Sequence, residues 1–339
     1  MKKLAQLLIS LLIGIGFLGL WLSIVDIPAM FSYFKKINPW WIILSIIMYI
    51  SSFFIRSFRW RIVLSPVARL PAEKIFEIFM CGTVINYLIP VRAGELAKSL
   101  ILKKTDKIPT SRSLPTIFID KLFDLTPVFL LLLLLPYLTH TLPREVIWIL
   151  LGVLAIFILL LILLTGAALK RKMATDFLKW FFSWIPGAFR LRVHRFLELF
   201  LEGFTNMGKY KKVLPVLLLL TFIAVIFDAC YLMAMFAGFG AYPPFLIVLF
   251  SYTLINLSYI LPTPPAQIGS NEVIWVLIFT GAFGMNVNLI SAVESFAHII
   301  TGGILFLVGA ISSTILGMKF TSTFSLESDN RLEKTEFDN

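Results

Sequence analysis

Charge is scarce in this sequence. Only 14% of its 339 residues are Asp, Glu, Lys or Arg, against about 25% in an ordinary soluble domain. A chain this long cannot cover a water-facing surface with so few charges, and 59% of it is hydrophobic, with a mean hydropathy of +0.91. Cysteine is scarcer still. Cys81 and Cys230 lie far apart in apolar surroundings without CxxC spacing, which excludes a disulfide framework and reads as two buried free thiols. Also missing are a P-loop, a GxGxxG before a helix, HExxH, GxSxG and any His/Cys cluster of metal spacing. No cofactor, metal or catalytic residue is therefore expected. The connections between apolar runs are too short for a separate ATP-binding or catalytic domain, so any chemistry by this chain alone would take place in the membrane. Period-two alternation is absent as well, which excludes an outer-membrane barrel.

What remains is an α-helical membrane protein. Runs long enough to cross a hydrocarbon core, which takes roughly 20 residues, fall at 4–25, 40–62, 115–138, 146–168, 213–238 and 289–317. The first of these follows Lys2 and Lys3 as a signal peptide would. Its apolar part is longer than the usual ~7–15 residues and lacks a small-x-small cleavage site, so it reads as an uncleaved helix. Two further segments, 73–104 and 243–285, are apolar but broken by Pro, Gly and polar residues. The expected fold is an all-α polytopic membrane protein with about six full transmembrane helices and two re-entrant helical hairpins. It forms one transmembrane unit over 1–318, followed by a polar, disordered tail at 319–339.

The net charge of +11 does not point to nucleic acid, because the basic residues cluster in a few connections. They read as topology signals and as contacts to anionic lipid head groups. Lys2 and Lys3 place the N-terminus in the cytoplasm. Arg56, Arg59 and Arg61 read as an interfacial anchor at the end of the second span, and Arg92, Lys98, Lys103, Lys104, Lys107 and Arg112 also fall inside. The basic, aromatic stretch 170–212 reads as amphipathic helices on the cytoplasmic leaflet. With these assignments the first broken segment enters from the cytoplasm and returns to it, the second does so from outside, and the C-terminus is cytoplasmic. A crossing, a broken hairpin and a crossing thus occur twice, over about 1–140 and 146–318, as in an inverted repeat whose interrupted segments mark a site near the bilayer midplane. Tyr87-Leu-Ile-Pro90 matches Tyr259-Ile-Leu-Pro262, each followed by Gly and Glu. The alternative is that both broken segments are pairs of short transmembrane helices, giving an eight- or ten-helix bundle.

The broken segments carry the candidate chemistry. In "NYLIPVRAGE", residues 86–95, Pro90 stops one half-helix and Gly94 is expected to let the chain turn into the next. The amides exposed there favour an anion, and Arg92 supplies a bidentate partner for phosphate. Asn86 and Tyr87 flank this break, and Glu95 is expected to pair with Arg92 or another basic group. In "LPTPPAQIGSNE", residues 261–272, Pro262, Pro264 and Pro265 prevent a helix, while Gln267, Gly269, Ser270 and Asn271 lead into a new helix at Glu272. A plain helix start capped by Ser270 or Asn271 is the simpler reading of that stretch. Inside apolar spans lie Asp120, Lys121 and Asp124, together with Asp228, Glu294 and His298. Each is costly in hydrocarbon, and is either functional or half of an internal ion pair. For Asp120 and Asp124 the expected partners are Arg92 or an arginine of 56–61.

These motifs, "NYLIPVRAGELAKSLILKK", "FIDKLFDL" and "ILPTPPAQIGSNE", resemble those of the lysylphosphatidylglycerol synthase transmembrane family, in the same order and over roughly 4–318. The resemblance implies a polytopic fold with re-entrant helices that moves a lipid between leaflets. The chain departs from the family in Pro265-Ala266-Gln267, where glycines are frequent, and in Glu294, where a basic residue is expected. The implied function is a flippase of the cytoplasmic membrane for an anionic phospholipid, an aminoacyl-phospholipid or a polyprenyl-phosphate-linked lipid. Its binding residues would be drawn from both broken segments and from Asp120, Asp124 and Glu294. Two other readings stand beside it: a non-catalytic membrane partner of a separately encoded synthase or transferase, and a membrane-embedded transferase with Asp120 or Glu95 as general base.

Overall fold

A computed structural model describes residues 2–89, 94–124, 212–258 and 264–318, with isolated helical positions between 144 and 155. Among the described residues every regular element is helical. Apart from those isolated positions the span 146–168 lies outside the described residues, as do the greater part of 115–138, the stretch 170–212 except Lys212, and the tail 319–339.

Helix α1 (Lys2–Ile24) and α2 (Ile27–Phe34) meet at an 87° bend. Asp26 makes the bend by capping α2, its side chain accepting from the amide of Ala29 at 3.1 Å. Asn38 caps α3 (Pro39–Leu64) in the same way through Trp40, with Pro39 pre-set for the first turn. Then come α4 (Ala72–Leu88), α5 (Gly94–Asp106) and α6 (Thr110–Phe123). After the undescribed stretch follow α7 (Leu214–Gly238), α8 (Phe245–Ser258) and α9 (Ser270–Trp275), which runs on as a π-helical turn, Val276–Ala282. Asn286 caps the last helix, α10 (Val287–Ile315), by accepting from the amides of Asn288 and Leu289.

Helices α3, α7 and α10 are long and apolar enough to cross a membrane, and α1 with α2 makes a fourth if the bent pair is one span. Their ends fall within a few residues of the expected spans. Helix α6 begins at Thr110 instead of 115, so Pro115 lies inside it. The first broken segment consists of two helices, α4 and α5, of 17 and 13 residues, both short of the roughly 20 a crossing needs. Large apolar side chains such as Leu12, Ile15, Ile299 and Leu307 stay exposed along α1 and α10, as suits a lipid-facing surface.

Helix α3 packs along α7, and α10 packs on α4. Small residues permit the close approaches, as in membrane bundles generally. Gly309 of α10 meets Val84 of α4, Gly302 meets the Tyr87 hydroxyl, and Gly238 meets Ile42. One apolar core joins Trp21, Phe236, Phe279 and Val293, and a second joins Trp60, Ile75, Phe79 and Ile101. The first helix is built into the bundle. Trp21 Nε1 donates to Ser291 Oγ at 3.0 Å, and Gly269 (φ +81°) presses its backbone against that of Gly14.

Candidate functional site

The first broken segment is closed by its own ends. The amide of Gly94 donates to Asn86 Oδ1 at 2.8 Å, and Asn86 Nδ2 donates to Glu95 Oε1 at 2.9 Å, so one side chain on α4 holds the first turn of α5. Gly94 is not there to turn the chain, because its φ is not in the left-handed region. Its hydrogen is needed because any Cβ would run into the carbonyl oxygen of Gly82 and the Asn86 side chain. The expectation of a fully open helix N-terminus is corrected at this point, since the leading amide already has its acceptor.

From Glu95 an alternating chain of charges runs through the bundle. Glu95 contacts Lys98 at 3.0 Å and Lys121 at 3.1 Å, and Lys121 contacts Asp124 at 2.9 Å. Asp124 contacts Arg59 Nη2 at 2.6 Å, and Arg59 Nε reaches Asp120 at 2.7 Å. Two further donors of Arg59 go to Thr221 Oγ1 and the Asp120 carbonyl. Three cations thus face three carboxylates, and formal charge cancels within the set. Lys98 is almost wholly buried and sits 4.0 Å from the Phe79 ring centroid. The network is wettest at Lys121, whose side chain is 38% exposed, and driest at Arg59, at 1%.

This geometry corrects the reading of Arg56 and Arg59 as an interfacial anchor, and it bears out the other expectation, that Asp120 and Asp124 pair with an arginine of 56–61. Arg59 is buried, Arg56 pairs with Asp228 at 2.5 Å with Ser52 hydrogen-bonded to both, and Arg61 donates to the Leu70 carbonyl. Nor is Lys98 an exposed charge in a cytoplasmic loop. Glu95 has its basic partners in Lys98 and Lys121, while Pro90 and Arg92 lie outside the described residues, so the pairing with Arg92 does too.

A second polar cluster lies at the other break. Pro265–Gln267 form a single 3-10 turn in which Ala266 and Gln267 hold φ values of +52° and +60°, a costly region for residues with a Cβ. The Ala266 carbonyl accepts from His298 Nε2 at 2.7 Å. The opposite nitrogen, Nδ1, lies 3.0 Å from Glu272 Oε1 and 3.4 Å from Glu294 Oε1. Asn271 does not cap α9: its amide nitrogen donates to Glu294 Oε1 at 2.8 Å. Nor does the Ser270 side chain cap it, since its hydroxyl donates back to the Gln267 carbonyl and Gly269 occupies the cap position. Pro262 lies outside the described residues.

The two clusters meet at the end of α4, which touches the Pro265–Gln267 turn. Neighbours in sequence, Asn86 and Tyr87 serve one cluster each. Asn86 holds Glu95, and the Tyr87 ring lies edge-on to His298 with centroids 6.2 Å apart.

The model of the lysylphosphatidylglycerol synthase TM region matches residues 7–309. The chain belongs to that family. Similar proteins include UPF0104 membrane protein PH1989 of Pyrococcus horikoshii, 26% identical over 288 residues, covering 78% of this chain and 86% of the relative. UPF0104 membrane protein MJ1595 of Methanocaldococcus jannaschii is 22% identical over 326 residues, covering 93% and 96% of the two chains. UPF0104 membrane protein MJ1078 of the same organism is 24% identical over 235 residues, covering 66% and 93%. No solved structure matches. The matched region of the family includes every residue of both clusters.

Lys98 is the member of the network that sequence reasoning did not single out as part of a site, while Arg59 was expected only as one of the arginines that could pair with Asp120 or Asp124. A signal existed in the spacing: Arg56 and Arg59 lie three apart and so on one face of α3, and Asp120 lies four before Asp124, the C-cap residue that ends α6. Charge on one face of an otherwise apolar helix calls for a partner.

Proposed function

We propose that this protein is a lipid transporter of the cytoplasmic membrane, carrying an anionic phospholipid, an aminoacyl-phospholipid or a polyprenyl-phosphate-linked lipid between leaflets. The observation that carries the reading is the meeting of two buried polar clusters at the breaks of two helical segments, inside a bundle whose cores are apolar. Broken helices with polar groups at membrane depth are what a transport path for a charged head group requires.

In this reading the head-group phosphate exchanges with Glu95 and Asp124 on Lys121, the wettest cation of the network. Arg92, which precedes Glu95 closely in sequence, would add a bidentate contact to the same phosphate. Exchange of one anion for another on a cation costs far less than creating a bare charge in hydrocarbon. The two halves, about 1–140 and 146–318, would form an inverted repeat that rocks about the site, with both termini cytoplasmic. The transferase reading loses support because Asp120 and Glu95, its general bases, are both tied in ion pairs.

Lipids retained by the purified protein test this. Native mass spectrometry of wild type is expected to show one class of anionic lipid, lost at least tenfold in Lys121→Gln and in Arg92→Ala. Lys121→Gln leaves Glu95 with Lys98 and Asp124 with Arg59, so the fold should persist. The same lipids in all three proteins would count against the assignment. Co-purification of a separate synthase without selective lipid would favour the partner reading instead.

A further inference from the structure

The cluster Glu272, Glu294 and His298 is more than a second half of the lipid path. We propose that it is a binding site for one divalent first-row metal ion, of the Mn2+ or Zn2+ class. The inference stands independently of lipid transport, because it concerns what these three side chains hold.

The tautomer of His298 comes first. A backbone carbonyl can only accept, so the 2.7 Å contact from Nε2 to the Ala266 oxygen makes Nε2 the N–H. A neutral ring then turns the Nδ1 lone pair toward two carboxylate oxygens, at 3.0 and 3.4 Å. Three such acceptor atoms do not converge unless a proton or a metal ion lies among them. An imidazole whose far N–H is held by a carbonyl is also the usual way a protein orients a metal-binding histidine.

Two observations select a metal ion over a proton on Nδ1. The second oxygens of both carboxylates, Oε2 of Glu272 and Oε2 of Glu294, are buried without a hydrogen-bond partner among the described residues. Glu294 is wholly buried and Glu272 is 8% exposed. A proton on Nδ1 would serve the Oε1 atoms and leave both Oε2 atoms bare, whereas a cation is approached by either oxygen of a carboxylate. Charge points the same way. Among the described residues His298 is the one basic side chain in ion-pair contact with these glutamates. Two carboxylates and a neutral imidazole carry −2, which a dication cancels and an imidazolium does not.

The spacing fits such an ion. With metal–ligand bonds of about 2.0–2.2 Å, neighbouring ligand atoms are about 3.0 Å apart in octahedral and about 3.4 Å apart in tetrahedral coordination. One ligand atom from each of the three residues already lies within 4.8 Å of the others. An N,O,O set of this kind suits Mn2+ or Zn2+ better than a thiolate-seeking ion. Asn271, donating to Glu294, and the strained Ala266 carbonyl hold the ligands in place.

The test is metal binding by the full chain in detergent, stripped with chelator and titrated with Mn2+ or Zn2+ in a calorimeter, with elemental analysis after desalting. Wild type is expected to take up one ion per chain. Glu294→Gln and His298→Ala should each bind more than tenfold more weakly, and Glu77→Gln, outside the cluster on α4, should bind as wild type does. If Glu294→Gln does not fold, Glu272→Gln serves in its place, with melting temperature and gel-filtration profile as controls. X-ray absorption of the zinc-loaded protein should show nitrogen and oxygen ligands from an imidazole and carboxylates. Absence of stoichiometric metal, equal affinity in the variants, or an imidazolium that persists in the metal-treated protein by 15N NMR would overturn the proposal.

Discussion

Replacing Arg59 by Met is expected to destabilise the protein by about 3–5 kcal/mol, the usual cost of leaving a buried charge without its partner. Three features make this the most damaging single change. Asp120 is 2% exposed and has Arg59 as its one ion-pair partner among the described residues. The same guanidinium holds Asp124, Thr221 and the Asp120 carbonyl, so four acceptors lose donors together. Its position also ties α3 to α6 and α7 at once. Thermal unfolding in detergent measures the loss directly. The double variant Arg59→Met/Asp120→Leu should recover part of it, because both buried charges are then gone and Asp124 keeps Lys121. A single variant as stable as wild type would show that the network contributes nothing to the fold.

Gly94→Ala is expected to separate α4 from α5. The new methyl would meet the Gly82 carbonyl oxygen and lie 2.7 Å from the Asn86 side chain, and the carbonyl cannot swing away as a flexible side chain would. Overpacking of this kind costs about 1–3 kcal/mol. The functional loss should exceed the loss of stability, because moving α5 carries Glu95 away from Lys121 and undoes the Asn86 clasp. We expect lipid retention to fall at least tenfold while the protein still folds. Gly303→Ala is the control: nothing lies within 4 Å of a Cβ there, so both stability and retention should match wild type. Unchanged retention in Gly94→Ala would separate the α4–α5 hairpin from function.

Much of this was legible in the sequence. The apolar runs located α1, α3, α7 and α10, because a helix in hydrocarbon must be long and continuous. Pro, Gly and charge within apolar surroundings marked both breaks. The sequence offered Asp120 and Asp124 either Arg92 or an arginine of 56–61 as partner, and what it could not supply was which of these turns inward. Arg59 looks the same in sequence whether it snorkels to a phospholipid surface or turns inward to Asp120, and only the packing of α3 on α6 decides it. The metal-like cluster was hidden for a similar reason. Glu294 and His298 show a helical spacing of four, but Glu272 joins them from a different helix. Gly94 looked like a turn glycine, and its actual role, close approach to Gly82, depends on the neighbouring helix.

The central claim, that the chain moves anionic lipid between leaflets, is tested most directly in proteoliposomes. Fluorescent analogues of an anionic phospholipid, an aminoacyl-phospholipid and a polyprenyl phosphate are placed in both leaflets, and the fraction that an impermeant quencher reaches is followed over time. The account predicts that wild-type protein brings inner-leaflet lipid of at least one of these classes to the outer surface, and that Lys121→Gln slows this at least tenfold while folding normally. Protein-free rates for all three classes in liposomes bearing folded wild-type protein would contradict it.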